Sequence, residues 1–86
     1  MRYFIVNYIQ TPNGQFDELV TVAKNIKPKD LQEARVILDF KTNTVVKAAL
    51  KDKEISRDWG FLSTYYEGVY SKTITQLKQN NQTSVL

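Results

Sequence analysis

The chain has 86 residues, a formal net charge of +3 from 12 basic and 9 acidic side chains, and neither histidine nor cysteine. Those two absences exclude an imidazole base, a thiolate nucleophile, a Cys/His zinc site and a disulfide staple. At this length a single domain buries only about 60 to 65% of its unfolded surface, so the core is thin and oligomerisation is the compensation left open.

Arg2 to Gln10 (RYFIVNYIQ) is dense in β-branched and aromatic residues and too short for a helix, which predicts a first strand. Its alternation puts Phe4, Val6 and Tyr8 on one face and Tyr3, Ile5 and Ile9 on the other, so both faces should be covered. Thr11-Pro12-Asn13-Gly14 is a turn, because Pro presets φ and Asn or Gly supplies a left-handed residue. The second arm of the hairpin runs from Gln15 to Lys24. Lys24 to Asp30 (KNIKPKD) reads as a basic loop, since Pro28 cannot donate to a ladder, and Leu31 to Ala34 either adds one helical turn or enters the next strand.

Arg35 to Phe40 and Thr44 to Leu50 form a second strand pair, reversed at Lys41-Thr42-Asn43, with Val36, Leu38 and Phe40 on one face. Asp39 falls on the opposite face and is expected to be a solvent-facing or edge charge. Glu54 to Ser56 would start a short fifth strand. From Asp58 the period changes: Trp59, Leu62, Tyr66, Val69, Thr73 and Leu77 share one helical stripe, which predicts a single long helix capped by Asp58. Thr64 with Glu67 has the spacing of a capping box and would fit a later start. The domain is expected to end near residue 78, with 79–86 a polar, disordered tail.

Charge is spread unevenly. Residues 24–57 carry a net +4 and the remainder a net −1, a distribution suited to a polyanion such as RNA and equally to a lysine-bearing, solvated surface. If the second and fourth strands ran in the same direction, Lys24, Lys27, Lys29, Lys51 and Lys53 would share one rim as phosphate contacts, with Lys41 at the other end. Asn25, Asn43, Tyr3 or Tyr8 would then meet bases. On the C-terminal helix, Tyr65 and Tyr66 point about 100° apart. Trp59, Tyr65, Tyr66 and Tyr70 therefore offer more aromatic surface than one stripe needs, and part of it could form a subunit interface.

No catalytic pair stands out, because the adjacent Asp17 and Glu18 face opposite sides of their strand and no phosphate-cradling glycine loop exists. The chain is not expected to be an enzyme, and no cofactor or metal is expected. It also lacks an apolar run near the ~18 residues of a membrane span and a signal-peptide order at the N-terminus, so it should act without a membrane, where it is made.

Taken in order, NYIQTPNGQFDELVTV, KPKDLQ, VILDFKTNTVVK and WGFLSTYYEGVY resemble a family of small marine-metagenome proteins attributed to cyanophages. The resemblance spans about residues 3 to 78. It implies a fold similar to the Sm and LSm proteins, strongly bent five-stranded antiparallel sheets that join edge to edge into rings and bind RNA. The usual RNA-binding signatures of that group are missing: Asp39-Phe40-Lys41-Thr42-Asn43 is a loose echo of one, no Arg-Gly pair exists for the other, and the helix lies at the opposite terminus. No RNA-contacting residue is therefore carried over from the resemblance.

The combined expectation is a mainly β domain with one helix. A small, strongly bent, five-stranded antiparallel sheet (an Sm-like or SH3-like barrel) would be followed by a C-terminal helix. It would form a homo-oligomeric ring of roughly five to seven subunits that binds RNA in the cytoplasm of an infected bacterial host. The alternative is a phage protein-interaction or structural module that uses the tyrosine-rich helix without RNA.

Overall fold

The computed structural model describes residues 1–48 and 58–83, with side chains up to Gln79. Four strands, β1 (Tyr3–Gln10), β2 (Phe16–Ala23), β3 (Val36–Asp39) and β4 (Thr44–Ala48), and three helices, α1 (Pro28–Glu33), α2 (Trp59–Val69) and α3 (Ser71–Thr83), follow one another as β1-β2-α1-β3-β4-α2-α3. The strands form one antiparallel sheet in the order β2-β1-β3-β4.

The first hairpin follows the sequence reading closely. Its turn closes with Gly14 donating to the Thr11 carbonyl at 2.9 Å and Thr11 to the Gln15 carbonyl at 2.8 Å, and Gly14 takes the left-handed φ of 79°. At the β3–β4 turn the left-handed residue is Asn43, with φ of 54°.

Between the hairpins, β2 and β3 run in the same direction on either side of β1, so the connection crosses over one sheet face. The segment expected as a loop begins α1 at Pro28, because proline at the first helical position has no amide to lose. Asp30, in the first turn, accepts the Lys27 backbone N–H at 3.1 Å. Lys47 Nζ donates to the Leu31 carbonyl at 2.7 Å and ties the helix to β4.

Both faces of the sheet are covered, as the alternation of β1 requires. Phe4, Val6, Val36, Leu38 and Phe40 pack with Leu62, Tyr66, Ile74 and Leu77 of α2 and α3. On the other face Ile5, Ile37 and Ala34 form a smaller cluster with Tyr3, Ala23 and Ile26, so the residues flanking α1 do most of the covering. Packing on both faces holds the sheet open. The fold is a small layered α/β arrangement, and the described sheet, whose edges β2 and β4 do not meet, is not a closed barrel. The expected fifth strand, Glu54 to Ser56, lies outside the described residues.

The single long helix is corrected to two. Tyr70 leaves helical geometry at φ −123° and ψ 49° and separates α2 from α3. The break rephases the buried stripe to Leu62, Tyr66, Ile74 and Leu77, so Val69, expected inside, is exposed. Asp58 caps α2 as expected, accepting the Phe61 amide at 3.0 Å, and the later start at Thr64 is not used. The backbone stays helical through Thr83, past the Gln79 at which a tail was expected to begin.

Candidate nucleic-acid interface

The register decides which loops meet. Tyr3 pairs with Ala23 and with Asp39, and Asp39 with Thr44, so the start of β1, the ends of β2 and β3 and the start of β4 share one end of the sheet. Lys24, Asn25 and Lys27 follow β2 there, Lys29 lies in the first turn of α1, and Lys41 and Asn43 form the β3–β4 turn. This corrects the expected rim: β4 runs opposite to β2, so Lys41 joins Lys24, and Ala48 lies at the far end. Lys51 and Lys53 are outside the described residues.

At this end the acids are already engaged. Asp39, whose side chain is only 5% exposed, receives Arg2 Nε at 2.9 Å and Arg2 Nη2 at 2.7 Å. It also accepts the backbone amides of Lys41 at 2.9 Å and Thr42 at 3.3 Å. The Arg2 bonds, opposed by burial and helped by the turn amides, hold its carboxyl at about 2. Asp39 was expected at the surface; alternation put it correctly on the α1 side of the sheet, but the pairing of β1 with β3 brings Arg2 over it. Arg2 is pinned in turn: its amide donates to the Ala23 carbonyl, its carbonyl accepts from Phe40, and its guanidinium lies 5.0 Å from the Tyr3 ring centre.

The lysines are exposed and differ in their partners. Lys29 Nζ lies 4.0 Å from Glu33, both well solvated, a pair of little energetic weight. Among the described residues, no ion pair engages Lys24, Lys27 or Lys41. The result is an end whose carboxylates are internally used and whose ammonium groups project into water. Tyr3 lies at the same end, half-buried against the crossover, whereas Tyr8 is at the other end of β1.

A second cluster went unnoticed in the sequence. Tyr8 pairs with Glu18 across the hairpin, and Arg35, just before β3, donates to both the Tyr8 hydroxyl and Glu18 Oε1, the latter at 3.2 Å. Tyr70 donates its hydroxyl to Glu18 Oε2 at 2.8 Å, which fastens the α2–α3 junction to β2. That bond, reinforced by burial, pushes the Tyr70 hydroxyl up to about 12, while burial alone is the main cause raising Tyr66 to about 12. The four-residue constellation could have been suspected from the hairpin register for Tyr8 and Glu18, but nothing local pointed to Arg35 or Tyr70.

Of the four helix aromatics considered for an interface, Tyr66 is buried in the chain's own core against Phe4, and Trp59 and Tyr70 are half-buried on it. Trp59 meets Phe40 edge to face at 4.7 Å. Tyr65 alone among them is exposed, and it falls in line with Phe61 and Val69, which are 50% and 58% exposed. Among the described residues, no three Asp, Glu, His or Cys side chains gather where a metal ion could be held, and no helix is long and apolar enough to cross a membrane. Compared with known proteins, the chain matches no family, no curated sequence and no solved structure.

Proposed function

We propose that the chain binds RNA at the end of the sheet that gathers Lys24, Lys27, Lys29 and Lys41, and that it does so as a homo-oligomer. The observation that carries the reading is the convergence of two basic connections at an end whose acids, Asp39 and Asp30, are already hydrogen-bonded within the fold. Phosphates require only positive charge and donors, which the three unpaired lysines provide. The exposed amides of Asn25 and Asn43, on the same end, are suited to hydrogen-bond unstacked bases.

Single-stranded RNA releases about 0.7 counterion per phosphate neutralised. Lys24→Ala, Lys27→Ala and Lys41→Ala together should therefore flatten the slope of log affinity against log salt by about 2. Fluorescence anisotropy with a short labelled RNA at several salt concentrations measures this. An unaltered affinity and slope would remove this end from the account.

The homo-oligomer is supported by β2, an edge strand of the described sheet, whose outer side no other described strand pairs. A five-stranded bent sheet and a ring of five to seven subunits go further. They need a strand at Glu54 to Ser56 and two different free edges in every subunit, of which β2 supplies one.

A second reading, a protein-docking module, has its own observation: Phe61, Tyr65 and Val69 make an exposed, uncharged stripe along α2. Direct RNA binding separates the two readings. Affinity lost in the lysine variant and unchanged in Tyr65→Ser with Phe61→Ser favours the basic end, and a wild-type protein that binds no RNA at low salt leaves the docking module.

A further inference from the structure

Among the described residues β2 is one of the two edge strands of the sheet, and its backbone polarity can be assigned. The Arg35 and Phe40 amides donate to the carbonyls of Val6 and Arg2, so the even residues of β1 bond towards β3. Its odd residues therefore bond towards β2, consistent with Thr11 donating to Gln15 at the head of the same register. Their partners Asp17, Leu19, Thr21 and Ala23 turn inward, and Phe16, Glu18, Val20 and Val22 present N–H and C=O groups on the outer edge.

Natural edges are usually blunted by lysine, proline or a bulge. Within its eight residues β2 has none of these: it is paired to β1 without a register shift and contains no lysine or proline. Its charges are Asp17 and Glu18 at one end, and Lys24 follows directly at the other. From Leu19 to Ala23 the strand is uncharged.

That pattern is self-complementary, and we infer that β2 pairs antiparallel with β2 of a second copy about a two-fold axis at Thr21. In this register Val20 lies opposite the partner's Val22, Leu19 opposite the partner's Ala23, and Glu18 opposite the partner's Lys24. The valine pairs, whose backbone groups turn outward, are the hydrogen-bonded ones. Thr21 meets the partner's Thr21 in a non-hydrogen-bonded pair, the site of closest side-chain approach. Opposite charges, β-branched pairs and facing threonines are each favourable cross-strand neighbours. Moving the axis to Val20 would set Glu18 against the partner's Val22, and moving it to Leu19 would set Glu18 against the partner's Val20. Of these three registers only that at Thr21 sets Glu18, whose two oxygens Arg35 and Tyr70 already hold within the subunit, against a lysine.

The contact is isologous, so it closes as a dimer with an eight-stranded continuous sheet and does not propagate into a ring. The inference rests on the homo-oligomer half of the proposed function, and its failure is distinguishable from failure of the RNA half: Lys24 faces the partner's Glu18 in this pairing, whereas Lys27→Ala with Lys41→Ala tests RNA binding and leaves β2 and Lys24 untouched.

Thr21 is exposed and outside both core clusters, which makes it a clean handle. Thr21→Lys and Thr21→Glu each place like charges together at the axis and should raise the dimer dissociation constant at least tenfold. An equimolar mixture should restore the dimer by pairing Lys with Glu. Light scattering of each protein and of the mixture reads this, with circular dichroism confirming the fold. A wild-type monomer, a larger closed ring, or variants that stay as dimeric as wild type would each overturn the inference. Amide exchange in the wild-type protein decides the case even where a variant unfolds: Val20 and Val22 should become protected as concentration rises, and exchange at solvent rates at every concentration would refute the pairing.

Discussion

Replacing Asp39 by asparagine keeps the side-chain volume but removes the charge that Arg2 and the turn amides of Lys41 and Thr42 share. The folded carboxyl sits at about 2, against an ordinary value of 3.8. At about 1.4 kcal/mol per unit, the ionised form contributes ~2 to 3 kcal/mol at neutral pH. For a domain of this size that corresponds to a fall in Tm of roughly 10 to 20 °C in Asp39→Asn. Because the folded value lies below the unfolded one, the contribution is complete above about pH 4 and disappears as pH falls through about 2. Urea titrations of both proteins between pH 2 and 7, followed by the fluorescence of Trp59, should show a gap that is full at pH 7 and closes at the acid end. A gap below ~0.5 kcal/mol at pH 7, or one that persists unchanged to pH 2, would refute the reasoning.

Tyr70→Phe deletes the hydroxyl bond to Glu18 and should cost about 1 kcal/mol in denaturant titrations. An absorbance titration of wild type should find two of its five tyrosines ionising near pH 12, and the variant should lose one of them. Asp58→Ala removes the cap on the Phe61 amide and should lower stability by about 1 kcal/mol with the fold retained. Gly14→Ala forces a side chain into a left-handed residue where no atom lies within 4 Å, so its cost of about 1 kcal/mol should be conformational alone, and Gly14→Asn should recover part of it.

Local pattern carried much of this fold into view. Alternation in β1 assigned Phe4 and Val6 to one core and Ile5 to the other, and the shift to a helical period placed Asp58 at a cap. What stayed hidden depended on contacts between segments far apart in sequence. Asp39 looked like a surface charge because its partner, Arg2, is 37 residues away and meets it only when β3 lies beside β1. The crossover between β2 and β3 moved Lys41 into the basic end, and strand direction of that kind has no local signature. The break at Tyr70 was equally silent. Glu18 fixes that residue from another element, and its effect was to exchange Val69 for Ile74 in the core.

Amide chemical shifts during titration with a short single-stranded RNA at low salt test the central claim most directly, because they report where contact is made. Saturable shifts led by Lys24, Asn25, Lys27, Lys41 and Asn43, and reversed by added salt, are the predicted result. Shifts confined to the stripe of Phe61, Tyr65 and Val69, or none at any concentration, would contradict it.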